Sequence, residues 1–111
     1  MATKKTDLKI TVTLGNDGIP NNIQWESPDL NEPKDCKSMS LSFYDRLNRD
    51  TFKLDLWTKD FQIMEMDHFM FNTLKGLADS YYSATKNTEL SNEMRKFVQY
   101  FGEKTKVINP K

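Results

Sequence analysis

Histidine and cysteine are the residues from which nucleophilic or metal chemistry is most easily built, and the 111-residue chain has one of each. His68 falls in a helical pattern, with Glu65 and Asn72 one turn away on either side, so the three side chains share a face. They could form a weak surface metal site. Zinc draws most of its ligands from histidine and cysteine, and there is no second histidine. We therefore expect this helix face to be solvated.

Cys36 could act as a nucleophile only beside a base that removes its proton, and this base is normally a histidine. The single histidine lies on a face that the pattern assigns to solvent, so no catalytic pair is expected. The sequence also lacks the glycine-rich phosphate loops and the G-x-S-x-G nucleophile motif. We expect neither catalytic residues nor a cofactor.

A proline-interrupted segment contains carboxylates that could gather a calcium ion. They are Glu26, Asp29, Glu32 and Asp35. Their spacing matches no EF-hand loop, so a solvated loop without a metal is the expectation. The sixteen basic and sixteen acidic residues of the chain cancel and are spread evenly, which argues against a nucleic-acid partner.

Alternating hydrophobicity predicts four antiparallel strands in the first half of the chain. The first covers residues 8–14, and a loop at 15–18, whose residues tolerate positive φ, leads to a short return strand with Ile23 and Trp25 facing the core. The polar segment 27–37 is expected to be a loop.

The other two strands are expected to form a hairpin within residues 38–57. A tight turn sets Ser42 opposite Lys53 and Tyr44 opposite Thr51. Because the hairpin has one apolar and one polar face, we predict a single four-stranded antiparallel sheet, a meander in the order 1-2-3-4, that is covered on one face only.

The hydrophobic period changes to three and four after residue 60, which is typical of amphipathic helices. The stripe of the first helix is Ile63, Met66, Met70, Leu74, Leu77, Tyr81 and Ala84. The stripe of the second is Leu90, Met94, Phe97, Val98 and Phe101. Asp60 is the expected N-cap of the first helix, and Asn87 or Thr88 opens the second. The predicted fold is α+β, with both C-terminal helices packed on one face of the sheet.

The length of the chain fits one domain over residues 1–111, with flexible ends at 1–6 and 107–111. No apolar segment is as long as a signal peptide or a membrane span. A lone cysteine has no partner for a disulfide within the chain, which fits a reducing compartment. We therefore expect a soluble cytoplasmic protein.

The apolar arc of the first helix is wider than one buried face requires. Met64, Phe71 and Tyr82 line one edge of it over about 27 Å, and Trp57 lies upstream on the polar strand face. Aromatic residues and methionine are enriched at interface cores. We predict that these four residues contribute to a self-association or partner surface, the alternative being that the second helix or the 27–37 loop covers this edge.

Several strings of the sequence carry a family resemblance. They are Leu54-Asp55-Leu56-Trp57-Thr58-Lys59-Asp60, Ile23-Gln24-Trp25-Glu26, Gly76-Leu77-Ala78-Asp79, Glu93-Met94-Arg95-Lys96-Phe97 and Tyr100-Phe101-Gly102-Glu103-Lys104. Together they resemble the gliding motility protein GldC family. The family enters its first helix through a proline and an acidic residue, where this chain has Gln62 and Met64.

The resemblance implies a small cytoplasmic component of bacterial surface gliding that binds a protein of the gliding machinery. It brings no catalytic residue. The leading interpretation is therefore a non-catalytic interaction protein, with a homo-oligomer left open. The alternative is a carrier of a small-molecule or lipid-like ligand, in which sheet and helices enclose an aromatic-lined pocket. An enzyme with an unfamiliar site is a third interpretation.

Overall fold

The computed structural model describes residues 3–109, in which strands precede helices. The elements are β1 (Lys9–Leu14), β2 (Pro20–Glu26), β3 (Lys34–Cys36), β4 (Ser38–Tyr44), β5 (Thr51–Trp57), α1 (Ile63–Thr85) and α2 (Thr88–Lys104). The α+β class is thus confirmed. The strands belong to one compact unit, Met1–Phe61, and the helices to a second, Gln62–Lys111. The packing of the helices on a sheet face stays a prediction, and the expected flexible ends lie partly outside the described residues.

The strands form two sheets, one with the order β1-β2-β3 and one with the order β4-β5. The prediction of one four-stranded meander is therefore wrong. Strand β2 pairs with β1 along one edge and with β3 along the other, so it has no edge left for β4. The extra strand, β3, comes from the polar segment that was expected to be a loop.

Strand β3 is held to β2 by a side-chain hydrogen bond as well as by backbone pairing. Gln24 lies opposite Asp35, and the Gln24 Nε2 amide donates a hydrogen bond of 2.9 Å to Asp35 Oδ1. One position along, Ile23 lies opposite Cys36 and is fully buried. A short, polar edge strand of this kind also discourages pairing with other chains.

The loop between β1 and β2 closes through its own backbone. The amide of Gly18 donates to the carbonyl of Gly15 at 2.9 Å, and Gly15 in turn donates to Ile19 at 2.9 Å. Gly18 has φ of 78°, in the region that favours glycine. Asp17 accepts a hydrogen bond from the Ile19 amide and forms an ion pair with Lys59. The ion pair ties the loop to the segment after β5.

The β4–β5 hairpin has the register that the sequence predicts, with Ser42 opposite Lys53 and Tyr44 opposite Thr51. Its turn is closed by the Asp45 amide, which donates to the Asp50 carbonyl at 2.8 Å. The residues of its apolar face pair as Phe43–Phe52, Leu41–Leu54 and Met39–Leu56. The two phenylalanine rings stack at 6.4 Å between centroids, and both are more than half exposed.

Helix α1 begins at Ile63 with Gln62 as its N-cap, so the prediction of Asp60 is wrong. The Gln62 amide donates to Glu65 Oε1 at 3.0 Å, whereas the Asp60 carboxylate accepts a hydrogen bond of 2.6 Å from the Thr58 hydroxyl. A glutamate three residues after the cap satisfies an amide that the helix itself leaves unpaired.

The two helices are joined by Lys86 and Asn87 only, which makes them antiparallel neighbours. Lys86 has φ of 57° and ends α1 in the left-handed region. The side chain of Asn87 accepts a hydrogen bond of 2.9 Å from the Leu90 amide and caps α2, so of the two residues that the sequence offers, Asn87 is the cap and Thr88 the first helical residue.

The buried residues of the two helices are three small ones and Val98, a member of the predicted stripe of the second helix. Ala78 and Ser91 are fully buried, and Gly102 is buried as well. The guanidinium of Arg95 and the carboxylate of Asp79 pair at 3.3 Å between the two helices. Members of the predicted stripes, among them Leu77, Leu90 and Phe97, are exposed. Small side chains let the helix backbones approach closely, while several residues of the predicted stripes stay exposed.

Candidate partner-binding surfaces

The end of α2 covers one part of the α1 edge that is predicted to bind a partner and leaves another part accessible. Phe71 is partly buried, and its Cε1 lies 2.6 Å from the position that a Cβ atom at Gly102 would take. Met64 lies seven residues earlier, about 10 Å along the helix axis, and α2 ends two residues after Gly102. Met64 is 72% exposed. The structure thus packs Phe71 between the helices and leaves Met64 accessible.

Tyr82 lies at the opposite end of the same edge, and its ring is flanked by two cations. Lys86 Nζ is 5.2 Å and Arg95 Cζ is 5.7 Å from the ring centroid. The side chain remains 36% exposed. Two cation–π contacts of this kind restrict the ring before any partner binds. The α2 helix therefore covers part of the predicted edge, and Met64 and Tyr82 are the members that a partner could reach.

Trp57 belongs to the strand unit and forms a surface of its own. It is the last residue of β5, lies opposite Ser38 and is 51% exposed. It lines an open cavity of about 330 Å³ together with Ile19, Pro20, Asp55 and Leu56. The role predicted for Trp57 in partner binding stays a prediction.

An apolar cavity in the strand unit was not anticipated from the sequence. It is open, has a volume of about 310 Å³ and lies among residues of the first four strands and the segment before them. Its lining residues are Leu8, Ile10, Ile23, Trp25, Cys36, Ser38, Met39 and Ser40. The available signal was that β1 and β2 turn Ile10, Ile23 and Trp25 to one side. Three further lining residues, Ser38, Met39 and Ser40, come from β4, so the cavity lies between the three-stranded sheet and the β4–β5 hairpin.

Cys36 lines this cavity and also a neighbouring polar one with Asp35, Lys37 and Thr58. Burial raises the pKa of the Cys36 thiol, and the charge of Asp35 raises it further. A thiol with a raised pKa is protonated at neutral pH and is a poor nucleophile. His68 is exposed on α1 in the other unit. Cys36 is partly buried and lies opposite Ile23 of β2.

Surface ion pairs and hydrogen bonds stabilise three aspartates in their charged form. A hydrogen bond from Lys59 lowers the pKa of Asp17, bonds from Lys53 and then Ser40 lower the pKa of Asp55, and one from Thr58 lowers the pKa of Asp60. All three carboxylates are exposed to solvent, where such pairs contribute little to stability. Within residues 3–109, no group of three or more His, Cys, Asp or Glu side chains could hold a metal ion.

Neither helix in the described part of the chain is both long and apolar enough to cross a membrane. Residues 20–107 match the model of the family described as gliding motility-associated protein GldC-like. No curated protein and no solved structure matches the chain. The match covers all described elements except β1, and it confirms the resemblance drawn from the short sequence strings.

Proposed function

Because the chain belongs to the gliding motility-associated GldC-like family, we propose that it is a non-catalytic protein-binding component of the gliding machinery that acts in the cytoplasm. The family match is the observation that carries this proposal. The raised pKa of the Cys36 thiol supports a role without nucleophilic catalysis. The partner is proposed to be another protein of the same machinery.

The partner surface is proposed to include the accessible ends of the α1 edge, Met64 and Tyr82. Methionine and tyrosine both present apolar surface that a partner desolvates, and tyrosine adds a hydroxyl for orientation. The ring of Tyr82 is already held by Lys86 and Arg95, so little side-chain entropy is lost on binding. Phe71 supports this edge from within the helix contact, and Trp57 is a separate candidate in the strand unit.

We expect the Met64→Ser/Tyr82→Ser variant to bind its partner with a Kd about tenfold higher, because it loses two apolar side chains that the partner would bury. The measurement is affinity purification of the tagged full chain from a gliding bacterium, with quantification of the proteins that co-purify. Tyr100→Ser is the matched control, because Tyr100 is also an exposed helix tyrosine with a lysine over its ring.

The melting temperature of the double variant should stay close to that of the unchanged chain, because both side chains are substantially exposed. Undiminished capture by a folded double variant would rule out this surface. Equal loss in Tyr100→Ser would show that any exposed tyrosine of the helix pair has the same effect.

A second candidate function, binding of a small apolar ligand, is favoured by the cavity of about 310 Å³ in the strand unit. Ligand pockets have volumes of about 300–1,000 Å³, so this cavity is at the lower limit. Apolar side chains dominate its lining, with Ser38 and Ser40 as polar groups that could orient a ligand. Trp25 is its single aromatic residue, and the cavity is lined by the strand unit rather than by sheet and helices together.

A Trp57→Phe variant leaves Trp25 as the only tryptophan and so as a fluorescent reporter of the cavity. If the cavity binds ligand, decanoate should shift the Trp25 emission to shorter wavelength in a saturable manner. Trp25→Phe, in which Trp57 reports, is the matched control. An unchanged or linear response in the Trp57→Phe variant would reject the carrier function.

A further inference from the structure

The outer edge of β5 is open. Among the described residues, β4 is the only strand that pairs with β5. A two-stranded hairpin is marginally stable by itself in water and gains from further strands or from cover on its apolar face. An open edge next to a partly exposed apolar face is the usual template for pairing with another chain.

The backbone bonds at both ends of the hairpin determine which amides point outward. Asp45 donates to Asp50 at 2.8 Å, and Thr58 donates to Lys37 at 2.8 Å. In an antiparallel pair, hydrogen-bonded and non-hydrogen-bonded positions alternate. The even-numbered residues of β5 therefore turn their amides to β4, and the odd-numbered residues turn theirs to the open edge.

The bond at the next odd-numbered position agrees with this assignment. Lys59, two residues beyond the end of β5, donates its amide to the carbonyl of Pro20 at 3.1 Å. Beyond the strand the outer edge is thus already used, and Ile19 and Pro20 border a cavity beside the last residues of β5. Along the strand, none of the described strands is hydrogen-bonded to this edge. A pairing partner is accordingly limited to Thr51–Trp57.

Only one full-length symmetric register brings opposite charges together. In a dimer with a twofold axis, residues whose amides point to the outer edge must lie opposite each other, and on β5 these are the odd-numbered residues. The numbers of two facing residues therefore have an even sum, and the axis passes through a residue of β5 rather than between two residues. An axis at Lys53 or Asp55 sets like charges opposite each other. An axis at Leu54 pairs all seven residues and sets each Lys53 opposite Asp55 of the second copy. An axis closer to either end of β5 pairs fewer residues of the two strands.

The same register continues the apolar face across the axis. Leu54 then lies opposite Leu54 of the second copy, and Phe52 lies opposite Leu56 of that copy. The exposed Phe43–Phe52 ring pair gains a neighbouring leucine from the second chain. Apolar cross-strand pairs of this kind are a principal source of sheet stability.

We propose that two copies of this chain pair through their β5 edges into an antiparallel four-stranded sheet, β4-β5-β5-β4, with the twofold axis at Leu54. A lysine in the middle of an edge strand normally prevents such pairing. Here the facing Asp55 neutralises it, and within each chain Lys53 Nζ is already 2.8 Å from Asp55 Oδ1. The other edge strands lack this complementarity. Strand β4 has no charged residue and β1 has only Lys9. The charged residues of β3, Lys34 and Asp35, are adjacent in the sequence, so a twofold register cannot set one opposite the other.

Charge variants of the full chain test the register by sedimentation equilibrium. Lys53→Asp places aspartates opposite each other and Asp55→Lys places lysines opposite each other, so each should raise the dimer Kd about tenfold or more. The double variant Lys53→Asp/Asp55→Lys restores opposite charges and should return the Kd to about that of the unchanged chain. Lys9→Asp is the control, because it makes the same charge change on β1.

Cross-linking tests the position of the axis independently of charge. In a Cys36→Ser background, Leu54→Cys places two thiols at a non-hydrogen-bonded pair, where the Cα atoms are about 4.5 Å apart and a disulfide forms. Leu41→Cys is the control on the same face, three strand spacings from its copy, or about 14 Å. We expect an oxidised dimer from Leu54→Cys alone.

A chain that stays monomeric at all accessible concentrations would overturn the proposal. So would a dimer whose Kd is unaffected by both single charge variants, or one that the double variant fails to restore while circular dichroism shows it to be folded. Equal cross-linking at residues 41 and 54 would exclude the axis at Leu54.

Discussion

Gly102→Ala should destabilise the helix pair, whereas Gly76→Ala should stabilise it. Both glycines lie inside helices, where alanine is better by about 1 kcal/mol. At Gly102 a Cβ atom would lie 2.6 Å from Phe71 Cε1 and 2.8 Å from Ile108 Cγ1, while at Gly76 nothing lies within 4 Å. Overpacking of this kind costs about 1–3 kcal/mol, which outweighs the gain in helix propensity.

We expect Gly102→Ala to lower the free energy of unfolding by up to about 2 kcal/mol, which is the overpacking cost less the gain in helix propensity. Gly76→Ala should raise it by about 0.5–1 kcal/mol. Urea unfolding followed by the helical circular dichroism signal measures both changes. If Gly102→Ala were as stabilising as Gly76→Ala, the helices would not approach each other at this position.

Ile23→Ala should be the most destabilising single truncation in the strand unit. Ile23 is fully buried in β2 between Val12 of β1 and Cys36 of β3, and it also borders the apolar cavity, which would grow. Truncation of a buried isoleucine to alanine costs about 2–5 kcal/mol, with the larger values where a cavity remains.

Both tryptophans, Trp25 and Trp57, lie in the strand unit, so their fluorescence in urea reports on its unfolding. Ile63→Ala is the matched control, because Ile63 is 83% exposed at the start of α1 and should change stability by no more than about 0.5 kcal/mol. Similar losses in both variants would contradict the placement of Ile23 at the centre of the three-stranded sheet.

The parts of the fold that the sequence predicted are those that local patterns determine. The alternation of apolar and polar residues within 38–57 specified the hairpin register, and the period of three and four located both helices. Asn87 could be identified as a cap because its side chain acts on an amide three residues away. Each of these features depends on residues that are close together in the sequence.

The errors concern features that depend on a distant partner. Strand β3 has no hydrophobic alternation and exists because Gln24 and the backbone of β2 pair with it. Pairing of β2 on both edges then separates the sheets and leaves the apolar cavity between strands. At the proposed partner surface, the helical period predicts that Met64, Phe71 and Tyr82 share one edge of α1. Only the contact at Gly102 shows that Phe71 is the least accessible of them.

The connectivity of the fold has a kinetic consequence. Every described strand pairing joins neighbours in the chain, β1 with β2, β2 with β3 and β4 with β5, and the helices form a hairpin of their own. The loops that must close before these contacts form are short, so the entropy lost at each step is small. Local contacts of this kind favour rapid folding. During synthesis, each hairpin can therefore form as soon as its second element has left the ribosome, before the rest of the chain exists.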